Sequence, residues 1–319
     1  MKCIKYEVRE NAFHETFLWH EEADGSCSVF DSPEYGQMVK DAELYHTVGE
    51  IRRNFVPEKL YRYRGFGGHD EDDFGGLLHF TNYRDKKLDD PLEFPADMDG
   101  CWEIWESISA DRGEVAPGEE DIESYNSFFE VLKDTIVFAS FSESYTLPRM
   151  WEHYADFDQG FCVEYDIKKM IGEGKRGEEL LLSLYPVIYS QGDRLPFDIK
   201  AFMERDNDRI IPALLLKDPV WADQREWRMI LSELYSGDPL FIDGNDCVDL
   251  SACVTKVILG SECVDQRVDY VLKKARERDQ WAVSRLKKAR ASAGLYEEEI
   301  LRPGRGTDYQ GGQGRLSEA

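Results

Sequence analysis

The feature that most constrains the fold is the irregular spacing of short apolar runs with β character. They are LYRYRGF at 60–66, LLHFTNY at 77–83, IVFASFSE at 136–143, GFCVEYDI at 160–167, LSLYPVIYS at 182–190, REWRMILS at 225–232 and CVTKVILG ending at Gly260. Each is rich in branched and aromatic residues and is bounded by turn residues, which is the pattern of a short strand. Helical stretches fall between them without a regular βα alternation. Examples are IESYNSFFEVLKDT, PRMWEHYAD, DIKAFMERDNDRIIPALLLK and the charged segment 266–290, whose end WAVSRLKKA also suits a strand. A doubly wound parallel sheet needs that alternation. The expectation is therefore a mixed α+β fold with a mainly antiparallel sheet core and flanking helices.

The predicted organisation has three parts. Residues 1–55 form an N-terminal extension packing on the core, opening with the alternating run KCIKYEV. Residues 56–300 form a single α+β domain, and 301–319 a glycine-rich disordered tail. Within the domain, GGHDEDDFGG at 67–76 reads as an acidic loop, 84–100 as an ordered loop, CWEIWESI as a helix, and RGEVAPGEED at 112–121 as a linker or insertion. With 319 residues and 42% hydrophobic content, a substantial core is within reach.

Charge narrows the partners. With 39 basic and 64 acidic residues the net charge is −25. Such a surface repels phosphate backbones, so non-specific nucleic-acid binding is disfavoured unless a local basic groove overrides it; the acidity suits solubility, or else a protein that presents acid to a basic protein partner or mimics DNA. The seven cysteines include no CxxC pair, which gives neither a disulfide framework nor a zinc signature. Cys162 and Cys253 lie in apolar strands and read as small buried hydrophobes. The first fifteen residues are too charged for a signal peptide, and no apolar run approaches the ~18 residues of a membrane span. The chain is read as cytoplasmic, with reduced thiols and no membrane partner.

The familiar catalytic motifs are missing: no GxxxxGK[ST], no GxGxxG after a strand, no HExxH and no GxSxG. His14, Glu15 and His20 do not match standard metal spacing, and no metal ligand is assigned. Four polar clusters remain. They are Arg62 and Arg64 on an aromatic strand, Ser140, Ser142 and Glu143 at a strand end, Trp151 to Asp156, and Gln224 to Arg228 opening an apolar strand.

The series LYRYR, DDPLEF, FASFSE, MWEHYADFDQGFCVEYD, PVIY, QREWRMI and VILG resembles a bacterial family known only as domain of unknown function 2971. The resemblance spans roughly 60–260, and MWEHYAD…GFCVEYD is its most distinctive block. One departure is Asp89-Asp90-Pro91, where the family has Asn-Asp-Pro. The family name implies no activity.

The order of the clusters also resembles ADP-ribosyltransferases of the arginine–serine–glutamate type, which would imply that kind of fold and NAD as substrate. On that resemblance Arg62 would anchor the cofactor phosphates through its bidentate fork, with Arg64 a lesser candidate. Ser140 and Ser142 would shape the ribose pocket, and Tyr63 or Trp151 would stack on nicotinamide. His153 and Tyr154 would line or support the cleft. Glu226 would be the catalytic carboxylate that stabilises an oxocarbenium-like state, and Gln224 would orient the acceptor from the same strand face. A toxin or phage-defence effector modifying a macromolecular acceptor would fit such an enzyme. Two other readings stand beside it. One is a metal-dependent hydrolase or nuclease using Glu143, His153, Asp156 and Glu164. The other is a non-enzymatic acidic interaction or regulatory protein. Each cluster also has a plain structural explanation: edge-strand cations, strand-end serines and, for Glu226 between Arg225 and Arg228, an ion-pair ladder.

Overall fold

The computed structural model describes residues 5–10, 16–21, 28–31, 35–36, 56–83, 118–171, 183–190, 214–232, 247–278, 281–290 and 295–301, with isolated positions between 106 and 115 and between 177 and 181. The expected loop at 84–100, the Asp89-Asp90-Pro91 turn, most of the helices expected at 101–108 and before Leu214, and the tail after Leu301 lie outside the described residues. So do His14, Glu15 and His46.

Two short strands, β1 (Lys5–Glu10) and β2 (Thr16–Glu21), pair antiparallel near the N-terminus. The main sheet is built from β3 (Lys59–Arg64), β6 (Ile136–Ser142), β7 (Phe161–Asp166), β8 (Leu184–Pro186), β11 (Glu226–Ser232), β13 (Val254–Leu259), β14 (Ala282–Arg290) and β15 (Leu295–Leu301). Its order is β15-β14-β13-β7-β3-β6-β11-β8, and β5 (Thr81–Asn82) also pairs with β6. Every pairing in it is antiparallel except β13 with β14, which are joined by a helix at Asp265–Arg278. Parallel neighbours need a crossover of that kind. Smaller pairs are β4 (Leu77–His79) with β12 (Cys247–Asp249), and β9 (Ile188–Tyr189) with β10 (Leu216–Lys217). The mixed, mainly antiparallel α+β reading is borne out. LYEEEIL, which becomes β15, has an acidic middle that hides it as a strand; its partner β14 supplies Lys287, which pairs with Glu299 at 2.8 Å.

Among the described residues the helices with described bounds are α1 (Asp70–Gly75), α2 (Glu119–Thr135), α3 (Pro148–Tyr154), α4 (Ile167–Ile171) and α5, the crossover helix Asp265–Arg278. The first corrects the loop expected at 67–76. Asp70, Glu71, Asp72 and Asp73 fill its first turn, where carboxylates favour the positive end of the helix dipole. Phe74 anchors it, 1% exposed, and Gly76 ends it at φ 77°, the left-handed conformation glycine tolerates best. Clustered acids and flanking glycines look like a loop in sequence; one buried aromatic turns them into a helix.

Strand alternation sends side chains to two cores. Leu60, Phe141, Phe161, Val163, Tyr165, Trp227, Val257 and Leu259 belong to the larger one, where Phe74 joins them. Tyr61, Tyr63, Cys162, Ile258 and Leu286 belong to the smaller one, closed by Trp151 of α3 and by Ala155, which caps that helix. Cys162 and Cys253 are both buried as expected. After α3 the chain runs through three consecutive left-handed residues, Asp156, Phe157 and Asp158, at φ 51°, 54° and 64°. Such a run costs on the order of 1 kcal/mol per residue. Asp158 holds it: its carboxylate pairs with Lys288 at 3.0 Å and accepts from the Tyr296 hydroxyl at 3.1 Å, while its amide donates to the Trp151 carbonyl. The reversal delivers Gly160 to the start of β7.

Candidate functional site

The site is built where β11 lies between β6 and β8. In the β6–β11 register Glu226 faces Ser142 and Arg228 faces Ser140, so the period of two brings all four side chains to one sheet face. Ser140 Oγ donates to Glu226 Oε1 at 2.6 Å, and Arg228 Nε donates to the same oxygen at 2.8 Å. Lys217, on β10, donates to Glu226 Oε2 at 2.7 Å and to Gln224 Oε1 at 2.9 Å. Gln224 Nε2 donates to the Tyr154 hydroxyl at 3.2 Å, and Ser142 Oγ donates to the Gln224 carbonyl at 2.7 Å.

Gln224 reaches this centre by a route other than the one expected. It closes a 3-10 turn, Pro219–Gln224, and the strand begins only at Glu226. Asp218 caps the turn by accepting from the Val220 amide, and Arg225 makes the corner in a left-handed conformation, φ 45°. The two side chains therefore meet through Lys217 instead of standing side by side on one strand.

The centre is buried: Glu226 is 4% exposed, Lys217 6% and Arg228 0%. Burial pushes the Glu226 carboxyl up, but Arg228 and Lys217 outweigh it and hold it well below the usual carboxylate range. Outward from Gln224 lies an aromatic shelf. Tyr154 is 43% exposed, the Arg149 guanidinium covers the Trp221 ring at 4.5 Å, and His153 meets that ring edge-on at 6.2 Å. Lys217 is the member that sequence reasoning missed. Its signal was a lysine ending the apolar run ALLLK before Asp218-Pro219.

Four expected members lie elsewhere. Tyr61, not Arg62, faces Ser142, so Arg62 points to the opposite face of the sheet from Glu226. There it is 7% exposed, donates from Nη2 to the His79 carbonyl at 2.8 Å and lies 6.0 Å from the Phe141 ring centre. Burial, with Arg64 beside it, lowers its pKa to about 9, and its Nε and Nη1 have no partner among the described residues. Arg64 approaches Asp73 at 3.4 Å. Trp151 and Tyr63 are core residues instead of cleft walls. Trp151 is fully buried, stacks edge-on against Tyr63 at 5.2 Å and donates to the Tyr145 carbonyl, while the Tyr63 hydroxyl donates to the Ser144 carbonyl.

The four residues of the hydrolase reading have separate neighbours. Glu143 accepts from Trp227 Nε1 at 2.8 Å, with Arg225 4.0 Å away. Glu164 accepts from Lys59, Tyr61 and Thr255. Asp156 lies 3.8 Å from Arg267, and His153 packs on Tyr154 and Trp221. They do not form a ligand group among the described residues.

The architecture and this centre define a mixed α+β protein with a buried ion-paired carboxylate under an aromatic shelf. Residues 150–229, from α3 through the first strand residues of β11, match the model of a family described as "Protein of unknown function (DUF2971)". This bears out the resemblance read from the MWEHYAD…GFCVEYD block, and the matched segment contains Tyr154, Lys217, Gln224, Glu226 and Arg228. Neither a curated protein nor a solved structure matches the chain. Among the described residues no helix is long and apolar enough to cross a membrane.

Proposed function

We propose that the chain is an NAD-dependent enzyme of the ADP-ribosyltransferase kind, with Glu226 as its carboxylate. The supporting observation is the hydrogen bond from Ser140 to Glu226 across paired strands, with Gln224 joined to the same centre through Lys217 and to Tyr154 directly. Three of the four polar clusters singled out in the sequence thus meet. In the reaction the nicotinamide–ribose bond breaks with its electron pair leaving on nicotinamide. The anomeric carbon then bonds to an acceptor nucleophile, which gives up its proton. Glu226 would steady the positive charge that develops between these events.

The reading requires Lys217 to leave Glu226 Oε2. Its long stem allows that, and the phosphates of an incoming dinucleotide would offer the ammonium another anion. Lys217 and Arg149 then take the part expected of Arg62, and Tyr154 and Trp221 supply faces for stacking. The acceptor is a macromolecule, with a basic protein suited to the net charge of −25.

Nicotinamide release from NAD⁺ by the full chain is the test, with Glu226→Gln assayed below its own melting temperature. Release by wild type, reduced at least ~100-fold in the variant, supports the reading. A wild-type chain that releases none with a panel of basic protein acceptors sinks it. That second outcome would favour the non-enzymatic acidic interaction protein, for which the full pairing of both Glu226 oxygens is the observation in support.

A further inference from the structure

The face of the sheet that receives Arg62 carries a second cluster, remote from Glu226. His69 immediately precedes α1, Asp72 lies in its first turn, and His79 ends β4. One ligand atom from each lies within 4.8 Å of the others. The contacts focus on a single carboxylate oxygen: Asp72 Oδ2 is 3.1 Å from His79 Nε2 and 3.5 Å from His69 Nδ1. Two donors bound about 2.0–2.2 Å from a tetrahedral ion stand roughly 3.3–3.5 Å apart. Both contacts are therefore near the edge length such an ion imposes. The third pair, between the two imidazoles, lies within 4.8 Å, and the His69 side chain, 71% exposed, has room to turn.

The surroundings prepare His79 for ligation. Its Nδ1 faces Cys247 Sγ at 3.0 Å, because Cys247 on β12 is its direct partner in the strand register. A partner on the far ring nitrogen sets the orientation in which Nε2 points at the ion. The backbone is held as well, through the bond from Arg62 to the His79 carbonyl. On the solvent side an open cleft of about 310 Å³, lined by Gly67, Gly68, His69, Asp70, Asp72 and Tyr270 among others, leaves room for a water at a fourth position. The sequence concealed all this, since His69, Asp72 and His79 follow no standard ligand spacing and α1 reads as a loop.

We propose that His69, Asp72 and His79 form a binding site for one divalent transition metal of the zinc class, with solvent completing its coordination. Two imidazoles and one carboxylate suit zinc or cobalt better than magnesium or calcium, which prefer all-oxygen sites. The Cys247 thiol is a positioning residue for His79 and not a ligand, its sulfur lying at the ring nitrogen that faces away from Asp72.

The test is calorimetric titration of the chelator-treated full chain with zinc chloride. Cobalt chloride absorption reports the geometry, and thermal melts confirm folding. The expected result is one ion in wild type with micromolar or tighter affinity and visible cobalt bands of a four-coordinate site. His69→Ala and His79→Ala should each lose that ion or bind it at least 100-fold more weakly. Cys247→Ala should keep the stoichiometry and weaken binding about tenfold. His69→Ala is the decisive variant because an exposed side chain is not needed for folding. The proposal is overturned if wild type takes up no zinc, or if His69→Ala binds the same number of ions with the same affinity.

Discussion

Glu143 offers the sharpest test of the electrostatics. It is a carboxyl packed against Trp227 with Asp31 and Arg225 nearby. Burial raises its pKa from an ordinary 4.5 to about 7, more than the bonds from Ser28 and Trp227 and the charge of Arg225 can offset. Between these values the folded chain keeps a proton that the unfolded chain has released. Stability must therefore fall as pH rises through this window, and the loss is complete above about pH 8. At about 1.36 kcal/mol per unit the whole window is worth roughly 3 kcal/mol, and about 2 kcal/mol of it falls between pH 5.5 and 8.5. The lower limit keeps the sample above its isoelectric point near 4.6. Glu143→Gln retains an oxygen to accept from Trp227 and cannot titrate. Urea unfolding followed by tryptophan fluorescence should show the variant gaining about 2 kcal/mol on wild type between the two pH values. Any constant cost of the amide cancels in that comparison, as does the general acidity of the chain. A gap independent of pH, or one that grows in favour of wild type at pH 8.5, would refute the reasoning.

Two further substitutions probe the frame of the site. Arg228→Met removes the buried partner of Glu226 and the donor to the Leu214 carbonyl, and should cost about 3–5 kcal/mol in urea unfolding; a loss below about 1 kcal/mol would show that the centre is less tightly paired than its geometry states. Gly260→Ala would place a Cβ 2.0 Å from the Asp158 carbonyl oxygen, a backbone atom that cannot turn aside, so the soluble yield should collapse or stability drop by more than about 3 kcal/mol. Gly68→Ala, with nothing within 4 Å of its Cβ position, should stay within about 0.5 kcal/mol of wild type and serves as the control.

Much of the fold could be read from local pattern. β3, β6, β7, β11 and β13 all fall on apolar runs with branched and aromatic residues, and α2 and α3 fall on the helical segments expected of them. Strand propensity and hydrophobic period are properties of a few adjacent residues, so they survive without tertiary information. The clusters Ser140–Ser142 and Gln224–Glu226 were legible for the same reason, since polar residues at the end or the opening of a buried strand stand out.

Which of these residues face each other was a different kind of fact. Moving along a strand by one residue changes the face, so placing Arg62 required knowing that Tyr61 stands opposite Ser142. Lys217 joined Glu226 because a two-residue strand, β10, runs beside β9, a contact no local pattern encodes. Cys247 met His79 through the β4–β12 pair, whose partners lie far apart in the chain, while Asp72 reached it from the neighbouring helix α1. Sequence alone determined most of the long strands and helices and the residue types available for chemistry. Only the tertiary structure decided which charges were neutralised in pairs, because burial and register are set by residues distant in the chain.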